Sequence, residues 1–355
     1  MMKKLVILGG GYGGLTIAQH LLDKKNIPDD VEIILIDRMP FQGLKTEYYA
    51  LASGTVSDMD IRVQFPTDRR LRIVYGEIQA IDLPNKRIDL AGVEPFEYHT
   101  LIIALGCVDK FHEIPGAEQY SNTIQTLSAT RSTYKSVNDV RPYGQITIVG
   151  GGLSGVEMAA ELRESRADLK IRIMDRGPSI LSAFPEKLQS FVREWFTEHD
   201  IEMKGHSTLS RVEPGLIHNG VELVYTDVTI WTAGIQPSPV VQNLNVPKDG
   251  QGRVLINEYH QIHAFPEVFV VGDCASLPFS PSAQAAEGQG KQVVEVIHAG
   301  WKGETPRLGQ IKLKGVLGSL GKKSGFGLMG KRAMVGKVPR AIKSGVLWMS
   351  KRHFG

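Results

Sequence analysis

Cysteine is scarce in this 355-residue chain: Cys107 and Cys274 stand far apart and form no CxxC. That spacing excludes a zinc knuckle or a local redox dithiol and leaves two buried free thiols as the simplest reading. Long apolar runs are also missing. The basic start MMKKLVILGGG is cut by glycine after residues 5–8, too short for a signal sequence. No segment approaches the ~18 to 20 apolar residues of a membrane-spanning helix. A cytoplasmic, reduced chain is therefore expected. The ten histidines are scattered, so neither a metal site nor a Ser/His/Asp constellation is expected.

Acid is what the C-terminal end lacks. The net charge of +3 conceals thirteen Lys or Arg and a single acid, Glu304, in residues 302–355, a balance of +12 against −9 for the rest. Within that end, GKVPRAIKSGVLWMSKRHFG sets Pro339 near a helix start. Val338, Ile342, Val346 and Met349 fall on one side, Arg340 and Lys351 across from them, with Leu347 and Trp348 interrupting the stripe. A basic amphipathic segment with tryptophan suits an anionic membrane surface; the alternative is a helix docked on the acidic body. No recognition motif accompanies the charge, so nucleic acid is not an expected partner.

What is present is an internal repeat. KKLVILGGGYGGLTIAQHLL, from Lys3, is answered by GQITIVGGGLSGVEMAAELR, from Gly144. Each leads to a second apolar run ending in an acid, VEIILIDR with Asp37 and LKIRIMDR with Asp175. Strand, glycine turn, helix and strand make a βαβ unit of a parallel sheet. HTLIIALG, closing on Gly106, and DVTIWTAG, closing on Gly234, are paired in the same way. The later run PEVFVVGD has no βαβ unit of its own, so its place is back in the first sheet. The expected fold class is α/β, with two Rossmann-like dinucleotide-binding domains, the second inserted in the first, and a basic C-terminal segment. The expected boundaries are 1–110 and 256–301 for the first domain, 111–255 for the second with its linkers, and 302–355 for the basic segment.

Gly9, Gly11 and Gly14 have GxGxxG spacing, as do Gly150, Gly152 and Gly155. The first glycine of each set permits the tight turn, the second admits a pyrophosphate, and the third lets the helix pack on the strand. Free N–H groups at the helix start then face the phosphates. Asp37 and Asp175 are placed to accept hydrogen bonds from a ribose. A carboxylate at Asp175 suits a free 2′-hydroxyl and repels a 2′-phosphate, which favours NADH over NADPH, although neighbouring Arg176 could soften that choice. Two such sites in one chain imply a hydride relay from nicotinamide to flavin, which needs orientation and exclusion of water rather than a nucleophile.

The order GxGxxG, ALG, GxGxxG, TAGIQPSP and VFVVGDCA, spanning roughly residues 1–300, resembles the two-dinucleotide flavoprotein superfamily. That resemblance implies FAD in the first site and NAD(P)H in the second. It puts Gly272 and Asp273 on the ribityl or pyrophosphate region, and Gly106 and Gly234 beside the cofactors. No cysteine pair follows Asp37, which excludes thioredoxin- and glutathione-type chemistry. FQGLKTEYYALASGT and GLSGVEMAAEL are similar to the matching stretches of type II NADH dehydrogenases, which pass electrons from NADH through FAD to a membrane quinone. The resemblance implies peripheral attachment to the inner face of the cell membrane and admits a homodimer. It gives Glu157, otherwise readable as an acid favoured by the dipole in the first helical turn, a place facing nicotinamide and flavin.

SAQAAEGQG, residues 282–290, is similar to the AQxAxQ pattern of that family, near the flavin and the quinone entry. Ala283, Gln284 and Ala286 match, which implies Gln284 beside the ring or the acceptor. Gly288 stands in the place of the second glutamine, and Gln289 is displaced by one residue, about 100° of helix rotation. Glycines 288 and 290 are expected to let this helix lie close to the flavin. Quinone, a soluble oxidant such as oxygen or a small redox protein all remain open as acceptors, as does a poorly active redox sensor.

Overall fold

The computed structural model describes residues 2–23 and 27–353. Its first sheet is built on the strand Lys3–Leu8, where Leu5, Val6, Ile7 and Leu8 are all fully buried, as a continuous apolar run in a parallel sheet covered on both faces must be. The strand order is Gln261–Ile262, Phe265–Val270, Thr100–Ile103, Lys3–Leu8, Val31–Asp37, Leu71–Tyr75. Every neighbour is parallel except the edge pair of Gln261–Ile262 with Phe265–Val270. The second sheet runs Asn122–Thr123, Val228–Trp231, Gln145–Val149, Lys170–Met174, Ile201–Lys204, all parallel.

Phe265–Val270 pairs with Thr100–Ile103, so the whole second sheet lies in sequence between two adjacent strands of the first. The chain is α/β, with one Rossmann-like unit inserted in the other. It leaves and re-enters the first unit through one antiparallel pair, Cys107–Asp109 with Ile235–Pro237. The repeat extends beyond the glycine motifs: each unit carries a three-stranded antiparallel meander, Ile78–Asp82 to Val93–Glu97 in the first and Leu209–Glu213 to Glu222–Tyr225 in the second.

The basic end is a folded element. After the long helix Ala283–Lys302, residues 303–315 run back along it without regular structure. Three antiparallel strands follow, Val316–Leu320, Ser324–Met329 and Arg332–Gly336, and then the helix Lys337–His353. Leu320 and Phe326 are fully buried and join the main core. Of the two readings of the terminal helix, docking holds for one face: Arg340 Nε donates to the Gly321 carbonyl at 3.0 Å and Lys343 reaches Glu157. The other face leaves Val338, Val346, Trp348 and Met349 exposed. Residues 354 and 355 of the expected segment lie outside the described residues.

Candidate active site

The two glycine turns are built alike, atom for atom. Gly9 N–H donates to the Ile36 carbonyl and Gly150 N–H to that of Met174, both at 2.8 Å. Gly10 N–H donates to Asp37 Oδ2 and Gly151 N–H to Asp175 Oδ2, both at 2.6 Å. Each acid uses its second oxygen on the following loop: Asp37 accepts from Met39 N–H and Asp175 from Gly177 N–H, both at 2.7 Å. Gly9 and Gly150 have φ of +95° and +111°, and a Cβ on Gly14 or Gly155 would run into the carbonyl oxygen of Gly9 or Gly150. At Gly11 and Gly152 a Cβ would meet nothing within 4 Å. The turns are thus closed on the sheet side and open where a pyrophosphate would approach. Each acid therefore shapes its turn, with both carboxylate oxygens held by backbone N–H groups. Burial pushes the Asp37 carboxyl up, and the Gly10 and Met39 N–H groups oppose that shift.

A cleft of about 1180 Å³ begins at the first turn and brings together Gly9, Gly11, Asp37, Gly106, Gly272 and Asp273. Gly14 lies behind it, packed on the strand. Gly150, Gly152, Gly155, Asp175 and Gly234 do not line it, but the helix that follows the second turn does, through Leu153, Ser154 and Glu157. Gly234, at φ +134°, instead accepts from Lys110 N–H at 3.0 Å beside the crossing between the units.

The cleft fits a flavin dinucleotide. Gln42 is 2% exposed and lines it, yet neither its amide oxygen nor its nitrogen has a protein partner, and the Ser238 hydroxyl on the same wall is in the same position. Buried polar atoms of this kind are costly unless a ligand satisfies them. Asp273 accepts from Cys107 Sγ at 3.0 Å, and Lys45 Nζ lies 3.6 Å from the same sulfur. Burial pushes the Cys107 thiol up to about 12, so it is a neutral wall rather than a nucleophile. Both cysteines are free and buried.

At the far end of the cleft Glu157 is 4% exposed. The helix Leu153–Ser165 starts after Gly152, which puts Glu157 beyond the first turn; the expectation of a first-turn acid is corrected accordingly. Its Oε1 instead accepts from Ser319 N–H at 2.8 Å, from the Ser319 hydroxyl at 2.9 Å and from Lys343 Nζ. Lys343 also donates to the Tyr49 hydroxyl. Tyr49, Glu157, Leu317 and Lys343 all line the cleft, so the C-terminal element closes this end. In the sequence Lys343 was hidden among thirteen basic residues, and nothing in its spacing marks it as the one turned inward.

Gln284 is not where the family pattern put it. It is exposed and off the cleft, its Nε2 donating to the Gly315 carbonyl and its Oε1 accepting from Lys314 N–H, both at 2.9 Å. Gln292, eight residues on, donates to the Gly309 carbonyl. Gly288 lies midway on the same helical stripe, and a Cβ there would come within 2.6 Å of Ile311 Cγ2. Gln284, Gly288 and Gln292, spaced i, i+4, i+8, together seat the returning segment 303–315. Gly290 has a different neighbour: its Cβ would approach the Gly13 carbonyl to 3.0 Å, so it allows the close crossing with the first fingerprint helix. Ala283 and Ala286 face the cleft. Gln289 is fully buried and accepts from Gly272 N–H at 2.7 Å, holding the Gly272–Asp273 turn from behind.

Two nested parallel sheets, each with a glycine turn fixed by an acid, define the architecture of a two-dinucleotide oxidoreductase. The model of the pyridine nucleotide-disulphide oxidoreductase family matches residues 3–299, and the chain belongs to that family. It is 50% identical over 356 residues, with full coverage of both chains, to the NADH dehydrogenase-like protein YutJ of Bacillus subtilis. It is 24% identical to a type II NADH:quinone oxidoreductase of Staphylococcus epidermidis, covering 96% of this chain and 93% of that one. Among solved structures, NDH2 of Plasmodium falciparum in complex with NADH superposes with a TM-score of 0.85 at 17% identity, covering 100% and 97% of the two chains; at that identity the likeness speaks for the fold.

Proposed function

We propose that this chain is an FAD-dependent NADH dehydrogenase that passes hydride from NADH to FAD and electrons on to a quinone. The observation that carries the reading is the matched pair of fingerprint turns, with orphaned Gln42 and Ser238 on the cleft that runs from one to the helix of the other. The names of the B. subtilis and S. epidermidis relatives support it. When bound, FAD supplies two-electron acceptance from a nicotinamide and release to the acceptor. Gly9, Gly11, Asp37, Gly106, Gly272 and Asp273 would hold it, with Gln42 supplying amide hydrogen bonds. Gly150, Gly152, Gly155, Asp175 and Gly234 would hold NADH. Glu157, Lys343 and Leu317 would wall the end of the cleft and exclude water, with the Glu157–Lys343 pair at the place where an acceptor would arrive. No metal-holding group of His, Cys, Asp or Glu is found among the described residues.

Among the described residues, no helix is long and apolar enough to cross a membrane. Peripheral attachment to the inner face of the membrane, through the exposed Val338, Trp348 and Met349 and the exposed Lys312, Leu313 and Lys314, is part of the reading. A homodimer is compatible with it. A second reading, with a non-quinone acceptor, is favoured by one observation: Gln284 and Gly288 seat residues 303–315, so the stripe that would meet a quinone head is occupied by the chain itself. Steady-state NADH oxidation with a short-chain quinone, with and without anionic vesicles, separates the two. Quinone-dependent turnover is expected; flavin reduction by NADH with no reoxidation by quinone would leave the second reading.

A further inference from the structure

Beside the Glu157–Lys343 pair lies a second carboxyl, with no role in the proposed hydride transfer. Glu47 ends the short turn Lys45–Glu47, just before the helix Tyr48–Ser53, and is 8% exposed. Its Oε1 is 3.5 Å from the Tyr49 hydroxyl. That hydroxyl accepts from Lys343 Nζ, which also donates to Glu157 and, at 3.5 Å, to the Ser319 hydroxyl. The four side chains form one line from the interior to the cleft wall: Tyr49, Lys343 and Glu157 line the cleft, and Glu47 stands behind them.

The charged groups facing Glu47 are Glu157 and Glu161 from the helix Leu153–Ser165, and Lys343 and Arg340 from the terminal helix. Three acids thus share two cations in a place largely closed to water, and the cluster is neutral when one carboxyl keeps its proton. Glu157 has Lys343 and both donors of Ser319, and Glu161 accepts from the Thr55 hydroxyl at 2.5 Å. Glu47 has the weakest support for a charge. Burial, partly offset by Lys343, pushes its carboxyl up to about 7, while the Tyr49 hydroxyl is held protonated well above its ordinary range.

We propose that Glu47 is a positioning residue that stores one exchangeable proton behind the Glu157–Lys343 pair and returns it through the Tyr49 hydroxyl. The proposal rests on the reading above, in which NADH, H⁺ and quinone give NAD⁺ and hydroquinone: NADH supplies the electron pair and one hydrogen, and one proton comes from the protein and ultimately from solvent. Lys343 gives up a proton at the cleft, the Tyr49 hydroxyl proton moves to Lys343, and the Glu47 proton moves to Tyr49. The Glu47 carboxylate then regains a proton from solvent, and no electron moves along the line.

The test compares wild type, Glu47→Gln and Glu47→Asp in two measurements. In the first, turnover of the FAD-loaded enzyme with a short-chain quinone is followed against pH. Wild-type reoxidation is expected to fall about 10-fold per pH unit above the Glu47 range. The Gln variant should lose that inflection and reoxidise slowly, and the Asp variant should restore it. In the second, Tm is followed against pH. The folded-state pKa is raised above the ordinary 4.5, so the unfolded chain binds fewer protons in this window and wild-type stability falls as pH rises from about 4.5 to about 7. Glu47→Gln has no such loss, so the Tm difference between it and wild type should grow across that window and level off above it. A pH-independent Tm difference, or an unchanged kinetic inflection in the Gln variant, overturns the proposal. Failure of NADH to reduce the wild-type flavin would instead defeat the reaction reading, and the Tm series still decides whether Glu47 carries the proton.

Discussion

Glu157 shows how one side chain joins two distant parts of the sequence. Its helix and the terminal helix are held by an ion pair whose side chains are 5% and 13% exposed. A buried pair is strongly destabilised when one partner is removed, because the other charge is left unmatched. Lys343→Met is therefore expected to lower stability by about 3 to 5 kcal/mol, and adding Glu157→Gln to it should recover part of the loss. Equilibrium denaturation of the single and double variants checks this. Additive losses would mean that the two residues do not act as a pair.

At the scale of elements, the helix Ala283–Lys302 organises three neighbours on separate stripes. It starts at Ser282, whose hydroxyl accepts from Ala285 N–H at 3.2 Å, and stops at Gly303 with φ +69°. Gly290 crosses the first fingerprint helix, Gln289 props the Gly272 turn, and Gln284, Gly288 and Gln292 seat the returning segment. Gly288→Gln, which would complete the family pattern, is expected to displace Ile311 and loosen residues 303–315. Limited proteolysis should cut there faster in the variant, with a lower Tm; unchanged cleavage would show that the segment is held without this seat. The glycine turns, both acids and the nested order of the sheets were legible in the sequence because each depends on local spacing and a period of apolar residues. The position of Gln284 was not. A glutamine amide serves a ligand or a backbone equally well, and its partners, 30 and 31 residues away, lie in a segment with no pattern of its own. Lys343 escaped for a related reason: its partner Glu157 is 186 residues distant.

The whole molecule is an acidic two-unit body closed at one end by a basic element that belongs to its core. Removing residues 302–355 would strip the cover from Glu157 along with buried Leu320 and Phe326, so truncation tests folding more than membrane binding. Val338→Asp with Met349→Glu, at sites 61% and 48% exposed, is the cleaner probe. Co-sedimentation with anionic vesicles should drop several-fold while Tm holds, and wild-type binding should weaken with salt. Unchanged binding would remove that face from contact with lipid. The two matched turns are expected to hold a flavin and a nicotinamide in working order. The measurement that tests this most directly is rapid mixing of the FAD-loaded protein with NADH and, separately, with NADPH, following the flavin absorbance without added acceptor. A yellow protein bleached by NADH much faster than by NADPH is expected, because a carboxylate at Asp175 disfavours a 2′-phosphate. A colourless protein that takes up no FAD on reconstitution, or a bound flavin that neither nucleotide bleaches, would contradict that expectation.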